Sequence, residues 1–297
     1  VFGTLFSNIS TLGDKIRILK LKSSLRGYEI DRDNSKDKTT YQFLLDIGFS
    51  DRMIEMFFRP FFAGIFLENE LETSSKFFKY VFSRFNSGLA SLPENGMQSI
   101  PDNLMKKIDE ENVLFEKKVV KIVGQKDIVF DDGKRVHANN IVLTGESRGL
   151  VNEPIGQYNY TKTLYISSRI CPERKEYIHL YPCDDLINNI AIPTGVSSSY
   201  SENGDHLFSV TVLNDKISED DLIAGVMKRL KGYYGGEKGD YKFLKCINIK
   251  KGTLRQLSGY FEHQTSQSGD LIISGEHQTN GSIEGAIISG IEAANYL

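Results

Sequence analysis

The C-terminal run Gly269-Asp-Leu-Ile-Ile-Ser-Gly-Glu-His-Gln-Thr-Asn-Gly-Ser-Ile-Glu-Gly-Ala leaves this chain few ways to fold. Leu271 to Ser274 is short, apolar and uncharged, as a buried strand requires, and it runs straight into Gly275-Glu276. A loop leads to Gly281-Ser282, and a helix is expected from Ile283 nearly to the end. Ile283, Ala286, Ile287, Gly290, Ile291 and Ala294 fall on one face of it. Gly285 and Gly290 carry no side chain, so something can approach closely there. Two readings of this strand–loop–helix unit stand. It is an ordinary βα unit with Ser282 as helix cap, or the helix start holds a phosphate or polarised carbonyl. The Gly-Lys-Ser/Thr ending of a P-loop is missing, so nucleotide hydrolysis is not indicated.

Composition removes other classes. The 297 residues carry a net charge of −3, which offers no excess of cations for nucleic acid. Their number suggests about two domains. Cys171, Cys183 and Cys246 are too few and too far apart for a disulfide framework, which points to a reducing compartment. The expected location is the cytoplasm, or a plastid in a plant or alga. No apolar run approaches the ~18 residues of a membrane span. The basic stretch Lys15–Lys22 follows apolar residues instead of preceding them, unlike a signal peptide. With a nearby apolar face it is compatible with peripheral membrane association. The five histidines are scattered, and no metal site is expected.

The first ~90 residues read as helical. Leu12, Ile16 and Leu19 recur at helical spacing, and Thr39 or Thr40 can cap a later helix. Eleven of the 18 phenylalanines lie between Phe43 and Phe85. They form an aromatic core, the wall of a cavity for a bulky apolar substrate, or both. Phe58, Arg59 and Phe62 are the candidate pocket residues, Arg59 serving as ion-pair partner or substrate anchor. Pro93 and Gly96 end the helical part, and a helix is expected over 102–108. Strands are expected at 113–115, 119–123 and 128–130, then a turn at Asp131-Asp-Gly133, then Ile141-Val-Leu-Thr as a strand buried on both faces. Further alternating strands fall at 163–166, 177–181, 189–192 and 207–213, with an amphipathic helix over 220–233 and a strand over 241–249.

From Gly269 onward the sequence resembles the closing motif of the flavin-dependent amine oxidase superfamily, which includes phytoene desaturases and protoporphyrinogen oxidases. Leu92-Pro-Glu-Asn-Gly-Met resembles the family's Leu-Pro-x-Gly-Gly-Met stretch. Phe57-Phe-Arg-Pro-Phe-Phe-Ala-Gly, Leu71-Glu-Thr-Ser-Ser and the hairpin followed by Ile141-Val-Leu-Thr resemble further segments. The resemblance implies FAD as cofactor. Gly275 and Glu276 would lie at the ribityl–pyrophosphate region. Gly281, Ser282 and Ile283 would form the helix start over the flavin, the last two offering backbone N–H groups. Val120 would touch adenine through its backbone, and Thr144 and Gly145 would line the dinucleotide. The chemistry implied is hydride transfer from an apolar organic substrate, and no catalytic residue is singled out.

The implied fold is α/β. An incomplete Rossmann-like FAD domain (92–150 and 250–297) alternates with an α+β substrate domain, helical over 1–91 and a mixed sheet over 151–249. The family's Gly-x-Gly-x-x-Gly does not occur in this sequence. By resemblance the chain is therefore expected to be a C-terminal fragment. The alternative is a non-enzymatic binding or assembly protein that has lost FAD. Substrate, electron acceptor and oligomeric state are not legible.

Overall fold

Thr11 starts helix α1 (Leu12–Ser24) through a capping box with Asp14, each side chain accepting the other's backbone N–H. The computed structural model describes residues 10–151, 156–214, 216–262 and 271–297. They form two units interleaved in sequence. One comprises the chain up to Pro101 together with Tyr158–Thr253, and the other Asp102–Gln157 with Leu254–Leu297. Helices and sheets alternate through both, as an α/β chain requires.

Helix α1 turns inward a face other than its Leu12–Ile16–Leu19 row. Ile18, Leu21 and the following Leu25 are buried, while Leu12, Ile16 and Leu19 are 76, 48 and 55% exposed. The cause is Asp14. Its buried carboxylate accepts the backbone N–H and the hydroxyl of Ser50, at 2.9 and 2.7 Å, and this sets the rotation of the helix.

Thr39 caps α2 (Thr40–Ile47). The short α3 (Asp51–Met53) passes through a π-helical turn, Ile54–Phe58, into α4 (Arg59–Phe66). Pro60 explains the turn. It has no N–H to donate and its ring crowds the preceding turn, so one wider turn relieves both. Helix α5 (Ser75–Ser87) lies across this segment. Phe78 of α5 meets Phe62 and Phe58 at ring-centroid distances of 4.6 and 6.0 Å. Phe58 and Phe62 have 0 and 1% of their surface exposed. Side chains so enclosed face no cavity, so these two are core and not the expected pocket wall.

The second unit begins with α6 (Ser99–Met105), near the helix expected over 102–108. Val113 to Phe115 form no strand, and Leu114 and Phe115 stand in solvent. Strands β1 (Val119–Val123), β2 (Asp127–Phe130) and β3 (Arg135–His137) make an antiparallel meander. The turn at Gly133, φ +80°, joins the last two. Strand β4 (Val142–Thr144) buries only Leu143, so it is not covered on both faces.

Returning to the first unit, β5 (Tyr158–Ser168), β6 (His179–Leu180), β7 (Asn189–Ala191), β8 (His206–Val212) and β9 (Tyr241–Leu254) form one sheet in the order β6-β7-β8-β5-β9. From β6 through β5 every pairing is antiparallel. Helix α7 (Glu219–Tyr234), capped by Ser218, packs Leu222, Val226 and Leu230 onto Leu164, Ile190, Phe208 and Val210. Polar ties join helices to sheet. Asn159 and Thr253 both donate to the Phe66 carbonyl left open at the end of α4, at 2.8 and 2.9 Å.

In the second unit β10 (Ile272–Ser274) runs parallel to β4, Ser274 opposite Thr144. Helix α8 (Ile283–Ala294) follows and packs on β10. It buries its small residues, Gly285, Ser289 and Ala293, and leaves Ile283, Ile287 and Ile291 exposed. The expected apolar face therefore points outward. Small side chains are what let the helix lie close to β10, with Ser289 Oγ 3.3 Å from Ser274 Oγ.

Candidate functional site

Parallel strands β4 and β10 end side by side, and the site is built on their carboxyl ends. Ligands of open α/β sheets bind outside such ends. Beyond Thr144 comes Gly145 (φ +55°), and beyond Ser274 comes Gly275 (φ +145°, ψ 172°). A Cβ on Gly275 would sit 2.9 Å from His277 Nδ1 and 3.9 Å from the Gly145 nitrogen. That backbone conformation is essentially reserved for glycine, and it leaves a bare shelf between the strand ends. Ser289 holds the shelf from below by accepting the Gly275 N–H at 3.0 Å.

Strand β4 is followed by a 3-10 turn, Gly145–Val151. It is anchored by Ser147, whose hydroxyl accepts the Thr144 N–H at 2.9 Å and donates to the Thr144 carbonyl at 2.7 Å. Val151 packs against the Ile141–Leu143–Leu271 core, which places Arg148 inside the unit. Arg148 is 3% exposed, and its Nε and Nη2 atoms have no hydrogen-bond partner among the described residues. A buried guanidinium without an anion costs several kcal/mol in principle, roughly the penalty of an unpaired buried charge.

Two more buried polar groups in the same unit have an atom with no partner among the described residues. Gln256 is 1% exposed. Its Oε1 accepts the Gly281 N–H at 2.7 Å, but its Nε2 has no partner. His277 Nε2 is likewise buried and unpartnered. Burial, reinforced by the Arg148 charge, pushes His277 down to about 4, so its ring is neutral near pH 7. Burial raises the Glu276 carboxyl above its ordinary value, with Arg148 acting the other way. The two make no ion pair within 4 Å.

The helix start is arranged differently from the expectation. Ser282 caps α8 by accepting the Gly285 N–H at 2.9 Å. Its own N–H already goes to the Asn280 carbonyl at 2.7 Å, and the Gly281 N–H goes to Gln256. Neither amide is open to a cofactor, and the pair acts by fixing the helix start. The 279–280 turn lies so close to α8 that a Cβ on Gly285 would fall 2.1 Å from the Asn280 carbonyl oxygen. At Gly290 nothing approaches within 4 Å. Gly285→Ala is expected to push the turn away and cost about 1–3 kcal/mol of stability, measurable as a lower urea midpoint, while Gly290→Ala, with open space and a better helix former, is expected to raise the midpoint slightly.

Val120 is the extra residue of a bulge. Val119 pairs with Phe130 and Lys121 with Val129, so Val120 stays out of the β1–β2 register. It is 45% exposed, and β1 runs beside the 145–151 turn. The structure thus brings Val120, Thr144, Gly145, Gly275, Glu276, Gly281, Ser282 and Ile283 into one unit, and adds Arg148, Gln256 and His277. The added residues have no spacing signal. Only the position of His277 next to Glu276 marked it.

Arg59 belongs to the other unit, beside a cavity of about 610 Å³ that Glu55, Asn69, Asp184, Asn188 and Lys216 also line. Its guanidinium is bidentate on Glu55, at 2.7 and 2.9 Å, and also donates to the Asn69 carbonyl. It is an ion-pair residue. Burial opposes ionisation of Asp184 in the same wall. The Tyr233 hydroxyl, the Ile187 and Leu186 N–H groups and the Arg229 charge outweigh it, and the carboxyl stays below its usual range.

The residues at the strand ends fit an anionic, dinucleotide-like group: stranded buried donors, a side-chain-free shelf and an unpaired strand residue. No curated protein matches the sequence. An oxidoreductase from Methanosarcina mazei has a similar structure, with TM-score 0.71 at 16% identity over 96% of this chain and 73% of that one. A Pyrococcus furiosus protein gives 0.68 at 13%, over 94% and 70%. Reduced UDP-galactopyranose mutase gives 0.66 at 14%, over 95% and 72%. At such identities these likenesses show a shared fold. The model of the flavin containing amine oxidoreductases matches residues 9–297. The chain belongs to that family of flavin-type oxidoreductases.

Proposed function

We propose that this protein is an FAD-dependent oxidoreductase acting on an organic substrate. The observation that carries the reading is Arg148, buried beside the Gly145–Gly275 shelf with two nitrogens that have no partner among the described residues. Arg148, Gln256 and His277 would hold the anionic part of FAD. Glu276, whose carboxylate makes no hydrogen bond among the described residues, would accept from its hydroxyls, and Val120 would meet its adenine. Of the residues at the α8 start, Ile283 is the one left to offer a backbone N–H. Bound FAD supplies the two-electron acceptor that takes a hydride from the substrate. The chain's own task is then to hold, orient and exclude water, which needs no obligatory general base.

The sequence suggested a bulky apolar substrate because of its phenylalanines. Phe58 and Phe62 lie in the helical core, so they do not support that choice. The cavity beside Arg59 is lined about equally by polar and apolar side chains, so it does not select a bulky apolar substrate either. Titration of the full chain with FAD, followed by flavin fluorescence and visible absorbance, is expected to show saturable quenching. Flavin that stays fully fluorescent at excess protein overturns the reading and leaves a cofactor-free binding or assembly protein.

A further inference from the structure

Helix α1 is apolar on two opposite faces. At about 100° per residue, Ile18 and Leu21 share the buried side with Asp14, while Leu12, Ile16 and Leu19 form a stripe on the opposite, solvent side. A helix at a protein surface ordinarily turns polar residues outward. Here the outward stripe is aliphatic, with Lys15 and Lys22 along one edge and Lys20 along the other. The only acidic residue of α1 is Asp14, and it is buried. The outer face is therefore apolar at its centre and cationic at its margins.

The charge continues off the helix. On the Lys20 side lies an open cleft of about 770 Å³, which Arg17, Lys20, Arg26 and Arg32 line over the apolar side chains of Leu21, Leu25 and Phe43. The acidic residues in its wall are already engaged, Glu29 by Arg84 at 3.2 Å and Asp33 by Lys79. Lys20, Arg26 and Arg32 make no ion pair among the described residues. Negative charge brought to this cleft meets three cations, Lys20, Arg26 and Arg32, that no described residue neutralises.

We propose that α1 seats the protein on an anionic lipid surface. Leu12, Ile16 and Leu19 enter the boundary between headgroups and acyl chains, and the lysines and the cleft arginines meet lipid phosphates. An interfacial helix lies in the membrane plane with just this distribution of side chains. At 13 residues α1 is about 20 Å long, suited to lying on a bilayer, and no helix among the described residues is long and apolar enough to cross one.

The test is co-sedimentation of the full chain with vesicles of phosphatidylcholine alone and of phosphatidylcholine with phosphatidylserine, at low and high salt. The protein is expected to pellet with the anionic vesicles and to be released in part by salt. Lys15→Gln and Lys20→Gln should each weaken binding about five-fold. Ile16→Ser with Leu19→Ser should weaken it on the order of ten-fold or more, without changing the circular dichroism, because both side chains are already in solvent. Equal binding to neutral vesicles, no binding to either, or an unaffected double-serine variant overturns the proposal. Self-association that the double-serine variant abolishes also overturns it, by making a second copy the occupant. None of these variants touches the unit that carries Arg148, so the outcome is independent of the cofactor question.

Discussion

Arg148→Met is expected to make the cofactor-free protein more stable and to make it bind FAD poorly. The two effects have opposite signs for one reason. Without an anion, the guanidinium is a buried charge whose Nε and Nη2 have no partner among the described residues. Replacing such a charge with an apolar chain of similar volume is often stabilising, by about 1–4 kcal/mol. With an anionic ligand present the same charge is half of a desolvated pair. Removing it then costs about 2–5 kcal/mol, on the order of 10²–10³-fold in affinity. Urea unfolding without FAD reads the first quantity, and fluorescence titration with FAD reads the second. If both fall together, Arg148 is a structural residue and the donor cluster has another role. Riboflavin, which lacks phosphate, should bind the wild type and the variant alike.

Phe62→Ala is expected to cost about 3–5 kcal/mol of global stability, the range for emptying an enclosed aromatic site. Phe62 is 1% exposed and its ring touches those of Phe58, Phe61, Phe66 and Phe78, so the cavity left behind has no easy route to collapse. Because Phe62 lies in the helical layer, FAD affinity of the fraction that stays folded should not change. A pocket residue would behave in reverse, with stability kept and substrate kinetics altered. Urea midpoints for Phe62→Ala beside the milder Phe62→Leu, which empties less of the site, are expected to fall in proportion to the volume lost.

Much of this architecture is local in origin and could be read from the chain. Thr39 and Ser282 cap helices because their side-chain oxygens reach the first free N–H groups, whatever lies around them. Gly133 turns the β2–β3 hairpin, and Leu271 to Ser274 form a strand that pairs with 142–144. The glycines and Glu276 at the end of that strand marked the candidate site.

What periodicity could not decide was which of two apolar faces turns inward. In α1 the buried Asp14–Ser50 contact, between residues 36 apart, overrides the Leu12–Ile16–Leu19 row. In α8 the need to lie close to β10 selects Gly285, Ser289 and Ala293 over the isoleucines. Arg148, Gln256 and His277 are ordinary residues in sequence. Arg148 and His277 share one unit because β4 and β10 are parallel and place the turns that follow them together, and Gln256 joins them from beyond β9 through its hold on Gly281. Strands, caps and turns come from interactions within a few residues, so the sequence alone determined them. Burial of a charge, the facing of a helix and the meeting of remote donors depend on contacts between distant segments, and only the tertiary structure decided those.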